Sequence, residues 1–231
     1  RLVERLAKTH AIISYSEAVY RVRSGQIDKP YIAFSFDDGM RNNTAAARIL
    51  KRFDVTACFF IVTDIPGEKS YSVIQEFCRQ RLNAPAVEFL CWEEIERIKS
   101  MGHEIGSHTA SHPRLSDLTR DQIIVELEHS RSRITKFVGA PEHFAWPYGR
   151  ATDAPSTIGD LAAGAGYTSC ASGVRGCHVS QLTGPAAALC IRRDHMMCNW
   201  PERHINYFLS SSVASAFQPS NLWLEAGGKG P

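Results

Sequence analysis

The stretch YIAFSFDDGM, residues 31–40, decides how the rest of the chain is interpreted. An apolar run that suits a β-strand ends on two adjacent carboxylates, Asp37 and Asp38, and a glycine follows at once. Neighbouring buried carboxylates repel, so each raises the pKa of the other, and a simple turn needs only one of them. The pair therefore predicts a cation or a shared proton close to the end of this strand.

More apolar runs follow along the chain, and helical patterns lie between them. The predicted strands span residues 31–36, 57–62, 104–107, 143–146, 167–171 and 188–192. The predicted helices span residues 43–53, 92–101 and 119–138, and the last begins with a capping box. Strands that alternate with helices indicate parallel βα units. We therefore predict an α/β fold whose active site lies at the carboxyl ends of its strands.

The length and composition of the chain are sufficient for a sizeable hydrophobic core. A chain of 231 residues with 44% hydrophobic content suits one large α/β domain or two small ones. We predict a helical lead-in over residues 1–29, the main domain over residues 30–213 and a loosely ordered tail over residues 214–231. Residues 63–89 lack clean periodicity, and we interpret them as a long insertion that could form the wall of a pocket.

Charge and hydropathy argue against two classes of partner. The formal net charge is +2 and no block of like charge occurs, so we expect no nucleic-acid-binding surface. No apolar stretch approaches the roughly 18 residues of a membrane-spanning helix, so we expect no transmembrane segment. The sequence gives no indication of the oligomeric state.

The cysteines bear on the cellular compartment. There are seven of them and no Cys-x-x-Cys pair, which argues against a zinc–cysteine site. Cys58 and Cys190 lie in apolar runs and read as buried free thiols, while Cys170 and Cys177 are a pair that the sequence leaves undecided. Unpaired cysteines favour a reducing compartment, and with no secretion leader visible we expect a cytoplasmic protein. The chain begins with Arg rather than Met, so an earlier leader or anchor is compatible with it.

The predicted partner of the aspartates is GHEIGSHTASHPRL, residues 102–115. His108 and His112 are four residues apart, a spacing that puts both imidazoles on one face of a single turn. Pro113 disfavours an α conformation at His112, so the pair belongs to a turn at the end of a strand. Two histidines and one carboxylate make a three-ligand site with open positions, typical of catalytic zinc or another divalent metal. Neighbouring residues on extended chain point in different directions, so one aspartate would bind metal and the other would face the substrate.

A third polar turn lies in FAWPYGR, residues 144–150. An apolar strand ends there in Pro-Tyr-Gly, and Gly149 permits a tight turn. Such a turn can aim the backbone N–H of Tyr148 at an oxygen that becomes negative during a reaction.

Together the segments FSFDDG, SHTASH and AWPYG resemble, in this order, the three motifs of the polysaccharide deacetylase family with NodB homology, carbohydrate esterase family 4. The resemblance runs from about residue 30 to residue 195. It implies a distorted (β/α) barrel with fewer than eight regular strands. It also implies a metal-dependent hydrolase that removes acetyl groups, most often by N-deacetylation, from a carbohydrate or a glycan precursor.

The resemblance also assigns roles to single residues. Asp38, His108 and His112 would bind one divalent metal ion, with zinc the first choice and cobalt, nickel or manganese as alternatives. Asp37 would be the general base, and the backbone amide of Tyr148 would form the oxyanion hole together with the metal. Neither the metal nor the acetylated sugar can be identified further from the sequence.

The chain departs from the family pattern at two places. The third motif usually carries an arginine that orients the catalytic aspartate, and Ala145 stands at that position, which leaves Arg150 and Arg193 as candidates. The late Leu-x-His motif is matched only by IRRDHMM, residues 191–197, which offers His195 as the proton donor to the leaving amine, with His178 as its competitor. Alternate residues of a strand share a face, so we hypothesise that Arg193 replaces the absent arginine while His195 supplies the proton.

Two other functions stay open at this stage. One is a NodB-like amidohydrolase that acts on small non-sugar amides. The other is a catalytically inactive carbohydrate-binding relative, which the missing arginine favours. The retention of Asp37 beside a complete set of metal ligands argues for an enzyme, because a binding module has no use for a charged base beside a metal.

Overall fold

The structure is a computed structural model that describes residues 1–182, 190–197 and 199–216. Its strands are β1 Ala11–Ile12, β2 Tyr31–Ile32, β3 Phe34–Phe36, β4 Ala57–Ile61, β5 Glu104–Ser107, β6 His143–Ala145, β7 Ser169–Ala171 and β8 Cys190–Ile191. Its helices are α1 Leu2–Leu6, α2 Tyr15–Ser24, α3 Asn43–Arg52, α4 Tyr71–Phe77, α5 Trp92–Ser100, α6 Arg120–Val138, α7 Ile158–Gly164 and α8 Glu202–Ala216. None of the helices within these ranges has the length and apolar character needed to cross a bilayer.

The main sheet has six strands, all parallel, in the chain order β3-β4-β5-β6-β7-β8. β1 and β2 form a separate parallel pair. The six-stranded sheet curls into half of a barrel, and its outer surface is covered by helices that follow the strands. The prediction of a distorted (β/α) barrel with fewer than eight regular strands is therefore confirmed.

The two faces of the sheet have separate cores, as the alternation of side chains along β4 shows. Phe59 belongs to a cluster with side chains of α3, α5 and α6. Its neighbour Phe60 belongs to the opposite face, where Tyr15 and Val19 of α2 pack against it. Helix α2 therefore fills the inner face of the half-barrel, and the predicted lead-in contributes to the core rather than only preceding it.

The predicted elements differ from their observed counterparts mainly at their ends, whereas α7 and α8 were not predicted. Each predicted strand contains an observed one, although the run over residues 31–36 is divided into β2 and β3 and part of the last run lies outside the described residues. Helix α6 begins with the predicted capping box at Thr119. Residues 63–89, interpreted as a long insertion without clean periodicity, contain α4 and a π-helical turn at Cys78–Leu82. The domain boundaries stay a prediction, and residues 217–231 of the predicted tail lie outside the described part of the chain.

The expectation for the cysteines was wrong in one respect. Cys170 and Cys190 face each other in the register of β7 and β8, with Cα atoms 5.1 Å apart, and they form a disulfide. That separation is within the usual range for a disulfide, and strand register cannot be read from the sequence. Cys58 is a buried free thiol as expected, and Cys177 is free. The argument from unpaired cysteines for a reducing compartment therefore fails for Cys170 and Cys190, while Cys58, Cys78, Cys91 and Cys177 are free.

Candidate active site

The predicted site residues lie where strands end, along one edge of the sheet. Asp37 and Asp38 follow β3, His108 follows β5, Tyr148 follows β6 by three residues, and Arg193 follows β8 by two. Because all six strands are parallel, their carboxyl ends meet at the same edge. The sheet therefore gathers segments that are distant in the chain.

Three side chains converge as the predicted metal-binding set. Oδ1 of Asp38 lies 3.4 Å from Nε2 of His108 and 3.3 Å from Nε2 of His112. The potential ligand atoms of all three residues lie within 4.8 Å of one another. Both histidines are almost fully buried. Two ligands at about 2.0–2.1 Å from a tetrahedral zinc ion are about 3.3 Å apart, so these separations fit a shared ion.

The hydrogen bond on the far side of His108 supports the same interpretation. Its Nδ1 lies 2.8 Å from the carbonyl oxygen of Ala145, to which it can only donate, so the lone pair of Nε2 faces Asp38. Metal-binding histidines commonly donate their second ring N–H to a carbonyl in this way. The residues therefore fit a divalent metal, and the backbone of Ala145 contributes even though its side chain is not the family's arginine.

The loops that carry these residues adopt left-handed backbone conformations. Four motif residues other than glycine have positive φ angles: Asp38 (72°), Thr109 (68°), His112 (56°) and Tyr148 (63°). Such conformations cost about 1–3 kcal/mol each for a residue with a side chain, and they cluster at functional sites. The φ of His112 also fits the exclusion of the α region by Pro113.

Arg193 holds Asp37 in a fixed orientation. Its Nη1 and Nη2 donate to the two carboxylate oxygens of Asp37 at 2.7 and 2.9 Å. The guanidinium also donates to the carbonyl of Ser172 at 2.9 Å and to the hydroxyl of Ser35 at 3.1 Å. It lies over the ring of Phe60, 4.9 Å from its centroid. Four hydrogen bonds to three residues, together with an aromatic face, thus fix the cation that orients the carboxylate.

This ion pair also joins the two edges of the sheet. β3 and β8 are the first and last strands of the order, and neighbouring strands lie about 4.8 Å apart, so a flat sheet would separate them by about 24 Å. Asp37 and Arg193 nevertheless meet at 2.7 Å. The sheet must therefore curl strongly, and the ion pair spans the gap where further strands would complete a barrel.

Charges at the site keep both aspartates ionised. Burial raises the pKa of Asp37, but the nearby Arg193 guanidinium and the His108 imidazole outweigh it and leave the pKa below its usual value. Burial likewise raises the pKa of Asp38, while the close approach of the His108 and His112 imidazoles brings it well below the usual range. One carboxylate is therefore paired with an arginine and the other with two imidazoles, which answers the question raised by two adjacent like charges.

The Pro-Tyr-Gly turn lies beside the metal-binding set. The ring of Tyr148 is 5.0 Å from that of His112, and the Arg114 guanidinium lies 4.5 Å from the Tyr148 ring centroid. Within the described residues, the backbone N–H of Tyr148 has no hydrogen-bond acceptor. Phe77 of the insertion is 6.4 Å from the His112 ring, so this segment does form part of the wall.

The two candidates for the general acid have other surroundings. His195 is exposed, with its ring 6.3 Å from that of Trp200 and its Nε2 3.3 Å from Sδ of Met197. His178 accepts a hydrogen bond from the backbone N–H of Arg192 at 3.0 Å, and burial lowers its pKa to about 4. The structure brings neither ring into contact with the metal-binding set. Arg150, the other candidate partner of Asp37, is exposed.

Sequence reasoning missed some residues that support the site. Ser35 binds Arg193, and its position two residues before Asp37 on the same strand face was a usable signal. Asp153 is fully buried, forms an ion pair with Arg114 and accepts from the backbone N–H of Arg150 at 2.9 Å. No periodicity or motif marks that contact in the sequence.

The fold is an open barrel of parallel strands, with one carboxylate and two histidines gathered at the carboxyl ends of those strands. This combination is typical of NodB-type proteins. The chain belongs to the polysaccharide deacetylase family, whose profile matches residues 24–169. The family suggested by the three motifs is therefore confirmed.

Particular relatives agree with this assignment. The peptidoglycan-N-acetylglucosamine deacetylase of Bacillus cereus is 30% identical over 131 residues, which are 54% of this chain and 39% of that protein. The chain thus spans well under two thirds of that curated relative. The deacetylase PplD of Streptococcus pyogenes, solved in complex with acetate, is 20% identical with a TM-score of 0.67 and covers 89% of this chain and 82% of its own. IcaB from Ammonifex degensii is 16% identical with a TM-score of 0.68 and covers 91% of this chain and 86% of its own. At these identities the two structures establish the fold.

Proposed function

We propose that this protein is a metal-dependent hydrolase that removes acetyl groups, chiefly from nitrogen, from a carbohydrate or a glycan precursor. The observation that carries the proposal is an arginine-held carboxylate, Asp37, next to the set of Asp38, His108 and His112. The similarity to a Bacillus cereus enzyme that is named for acting on peptidoglycan N-acetylglucosamine supports an N-acetylated sugar as substrate.

Asp38, His108 and His112 would hold one divalent ion, with zinc the first choice and cobalt, nickel or manganese as alternatives. Such an ion lowers the pKa of water and polarises a carbonyl group. The buried imidazoles and the ionised carboxylate of Asp38 supply the donor set, and the Ala145 carbonyl keeps His108 in the required tautomer.

Asp37 would accept the proton from the water molecule that attacks the acetyl carbonyl. Its pKa lies below the usual value, so it is ionised at neutral pH and ready to take a proton. Arg193 fixes both carboxylate oxygens, which matters because a small displacement of a base costs rate steeply.

The backbone N–H of Tyr148 would stabilise the carbonyl oxygen as it becomes negative. The C–N bond of the amide then breaks. The acetyl group leaves as acetate, and the sugar nitrogen takes a proton to become an amine. We propose His195 for the delivery of that proton, with His178 as its competitor; since the His195 ring lies beside Trp200, it would have to move toward the leaving nitrogen when substrate binds.

The inactive carbohydrate-binding alternative depended on the missing arginine at Ala145. Arg193 supplies a bidentate partner to Asp37 from the opposite edge of the sheet, so that argument loses its force. The amidohydrolase alternative differs only in its substrate, and the test below separates the two.

The test uses the protein loaded with zinc or cobalt and measures acetate release. Its substrates are N-acetylglucosamine oligomers, peptidoglycan fragments and a small non-sugar acetamide. We expect acetate from a sugar substrate, loss of turnover on chelation, and recovery when the metal is returned. Asp37→Asn should lose about 10²–10⁴-fold in kcat while it retains the metal.

Three results would count against the proposal. Metal binding with no acetate from any sugar, but release from the small amide, would favour the amidohydrolase. Sugar binding without turnover in metal-loaded protein would favour the inactive relative. Loss of metal in Asp37→Asn with retention in Asp38→Asn would reverse the roles of the two aspartates.

A further inference from the structure

The turn between the two histidines is held by a carboxylate from another element. Glu126, on helix α6, accepts hydrogen bonds from the backbone N–H of Ala110 and of Ser111, both at 2.9 Å and both through Oε2. Its Oε1 accepts from the hydroxyl of Ser111 at 2.7 Å. A single side chain therefore satisfies two main-chain donors that lie between His108 and His112.

That turn needs support because its backbone is strained. Thr109 and His112 both have left-handed φ angles, 68° and 56°, and such residues persist only where the surroundings hold them. The hydroxyl of Thr109 gives internal support, since it donates to the His108 carbonyl and accepts from the His112 N–H at 3.0 Å. Glu126 adds an external support in the middle of the turn.

Helix α6, which carries Glu126, is anchored in the hydrophobic core. Ile123 and Leu127, on either side of it, are buried in the core. Ser130, one turn further along α6, lies 2.7 Å through its hydroxyl from the hydroxyl of Ser107, the residue just before His108. The same helix therefore contacts both the start and the middle of the histidine turn.

We propose that Glu126 is a positioning residue for the metal ligands. By holding the main chain at residues 110 and 111, it returns His112 to within reach of Asp38, so the three ligand atoms are arranged before the metal arrives. The proposal rests on the proposed metal site. It places the effect of Glu126 on metal affinity rather than on proton transfer, because Glu126 touches neither Asp37 nor any ligand atom in the described structure.

Two substitutions of Glu126 separate the effect of its hydrogen bonds from the effect of its charge. In Glu126→Gln the amide oxygen can take the Oε2 position and keep both main-chain bonds, while its NH₂ group donates to the Ser111 hydroxyl. Glu126→Leu keeps a similar volume but removes every acceptor. Glu128→Leu is the matched control, since it removes an exposed carboxylate from the same helix.

The experiment titrates each metal-free protein with zinc against a chromophoric chelator and records the melting temperature of the same metal-free samples. We expect Glu126→Leu to weaken zinc binding about 10–100-fold, the range typical for loss of a group that orients a metal ligand. Glu126→Gln should stay within a few-fold of the wild type, and Glu128→Leu should not differ from it.

An unchanged zinc affinity in Glu126→Leu would overturn the proposal, whether or not its melting temperature falls. Equal weakening in Glu126→Gln and Glu126→Leu would also overturn it, because charge rather than hydrogen bonding would then be responsible. If Glu126→Leu does not fold, a fall in affinity for Glu126→Ser with Glu126→Gln unaffected supports the proposal, and equal affinities overturn it. Failure of the wild type itself to bind zinc would refute the proposed metal site instead.

Discussion

At the scale of single residues, the ion pair between Asp37 and Arg193 joins positions 156 apart in the chain. Strand alternation led to the hypothesis that Arg193 faces the site, because it lies two residues before His195. The contact itself could not be derived from the sequence, since it requires two edge strands to approach each other. His195 shows the limit of the same argument: the chain beyond β8 is not a strand, and its ring lies with Trp200.

Arg193→Ala is expected to lower kcat by about 10²-fold or more and to leave zinc affinity within a few-fold of the wild type. The reason is that Asp37 loses both of its guanidinium hydrogen bonds, while Asp38 and the histidines keep theirs. Arg193→Lys should recover part of the rate, because a lysine offers one point of contact in place of a fork. Steady-state kinetics with acetate detection and a zinc titration would measure both effects.

Arg192→Ala is the control for that substitution, and its effect on kcat should be mild. The Arg192 guanidinium donates to the carbonyl of Arg175 at 3.2 Å, whereas the fork that holds both oxygens of Asp37 belongs to Arg193. A loss of zinc binding in Arg193→Ala, or an equal loss of rate in Arg192→Ala, would contradict the assigned role.

His195→Gln and His178→Gln should separate the two candidates for the proton donor. We expect His195→Gln to lower kcat about 10²–10⁴-fold with zinc affinity retained, as for loss of a general acid. His178→Gln should have little effect on the rate, because burial lowers the pKa of His178 to about 4 and leaves it without a proton to give at neutral pH. The reverse pattern in kcat measurements would assign the role to His178.

At the scale of elements, the turns after the strands matter more than the strands themselves. Helices α3, α5 and α6 were predicted from their apolar spacing, and α6 has the capping box expected from Thr119 and Gln122. Helix α7 has a buried face and was not predicted. Helix α4 was missed, and the reason is physical: it has only seven residues, none of them fully buried, so its apolar residues Ile74 and Phe77 make too short a pattern to detect. Turn motifs were found because their residue types are chemically unusual, but their φ angles became visible only in the structure.

Gly149→Ala should destabilise the protein and lower kcat together. A Cβ at this position would lie 2.5 Å from the backbone nitrogen of Gly173, and the φ of 78° is unfavourable for alanine. Strain and overpacking each cost about 1–3 kcal/mol. The turn would have to shift, and the Tyr148 amide would move with it. Urea unfolding and steady-state kinetics would measure the two losses.

Gly139→Ala is the matched control for that substitution. Its φ is 88°, but no atom lies within 4 Å of the added Cβ, so it carries the backbone strain without the clash. It should cost less in unfolding free energy than Gly149→Ala and leave kcat unchanged. Equal losses for the two variants would show that the close approach to Gly173 is unimportant.

At the scale of the whole molecule, the half-barrel is secured at several places that the sequence does not reveal. Motif order and the alternation of strands with helices were sufficient to predict the fold class. The disulfide between β7 and β8, the bridge from Arg193 to Asp37 and the packing of α2 on the inner face all depend on which strands become neighbours. Register and curvature are properties of the assembled sheet, so no local pattern encodes them.

His143 makes the stability of this assembly depend on pH. It is buried, and its two ring nitrogens lie 2.8 Å from the hydroxyl of Ser16 on α2 and 2.9 Å from that of Ser169 on β7. Burial lowers its pKa from 6.5 to about 4. Above pH 6.5 both the folded and the unfolded protein carry a neutral His143, and its contribution is complete.

As the pH falls from 6.5 towards 4, the unfolded chain takes up a proton at this position and the folded protein does not. The unfolding free energy must therefore fall through that interval, by on the order of 3 kcal/mol for this residue, since one pKa unit corresponds to about 1.4 kcal/mol. Urea unfolding at pH 7.0, 5.5 and 4.5 would measure the slope. His143→Gln should start lower, because it disturbs both serine contacts, but its slope should be shallower. Acidic groups and His178 titrate in both the wild type and His143→Gln, so only the difference between the two slopes reports on His143. Identical slopes would show that protonation of the buried imidazole does not change the stability of the contacts between α2 and β7.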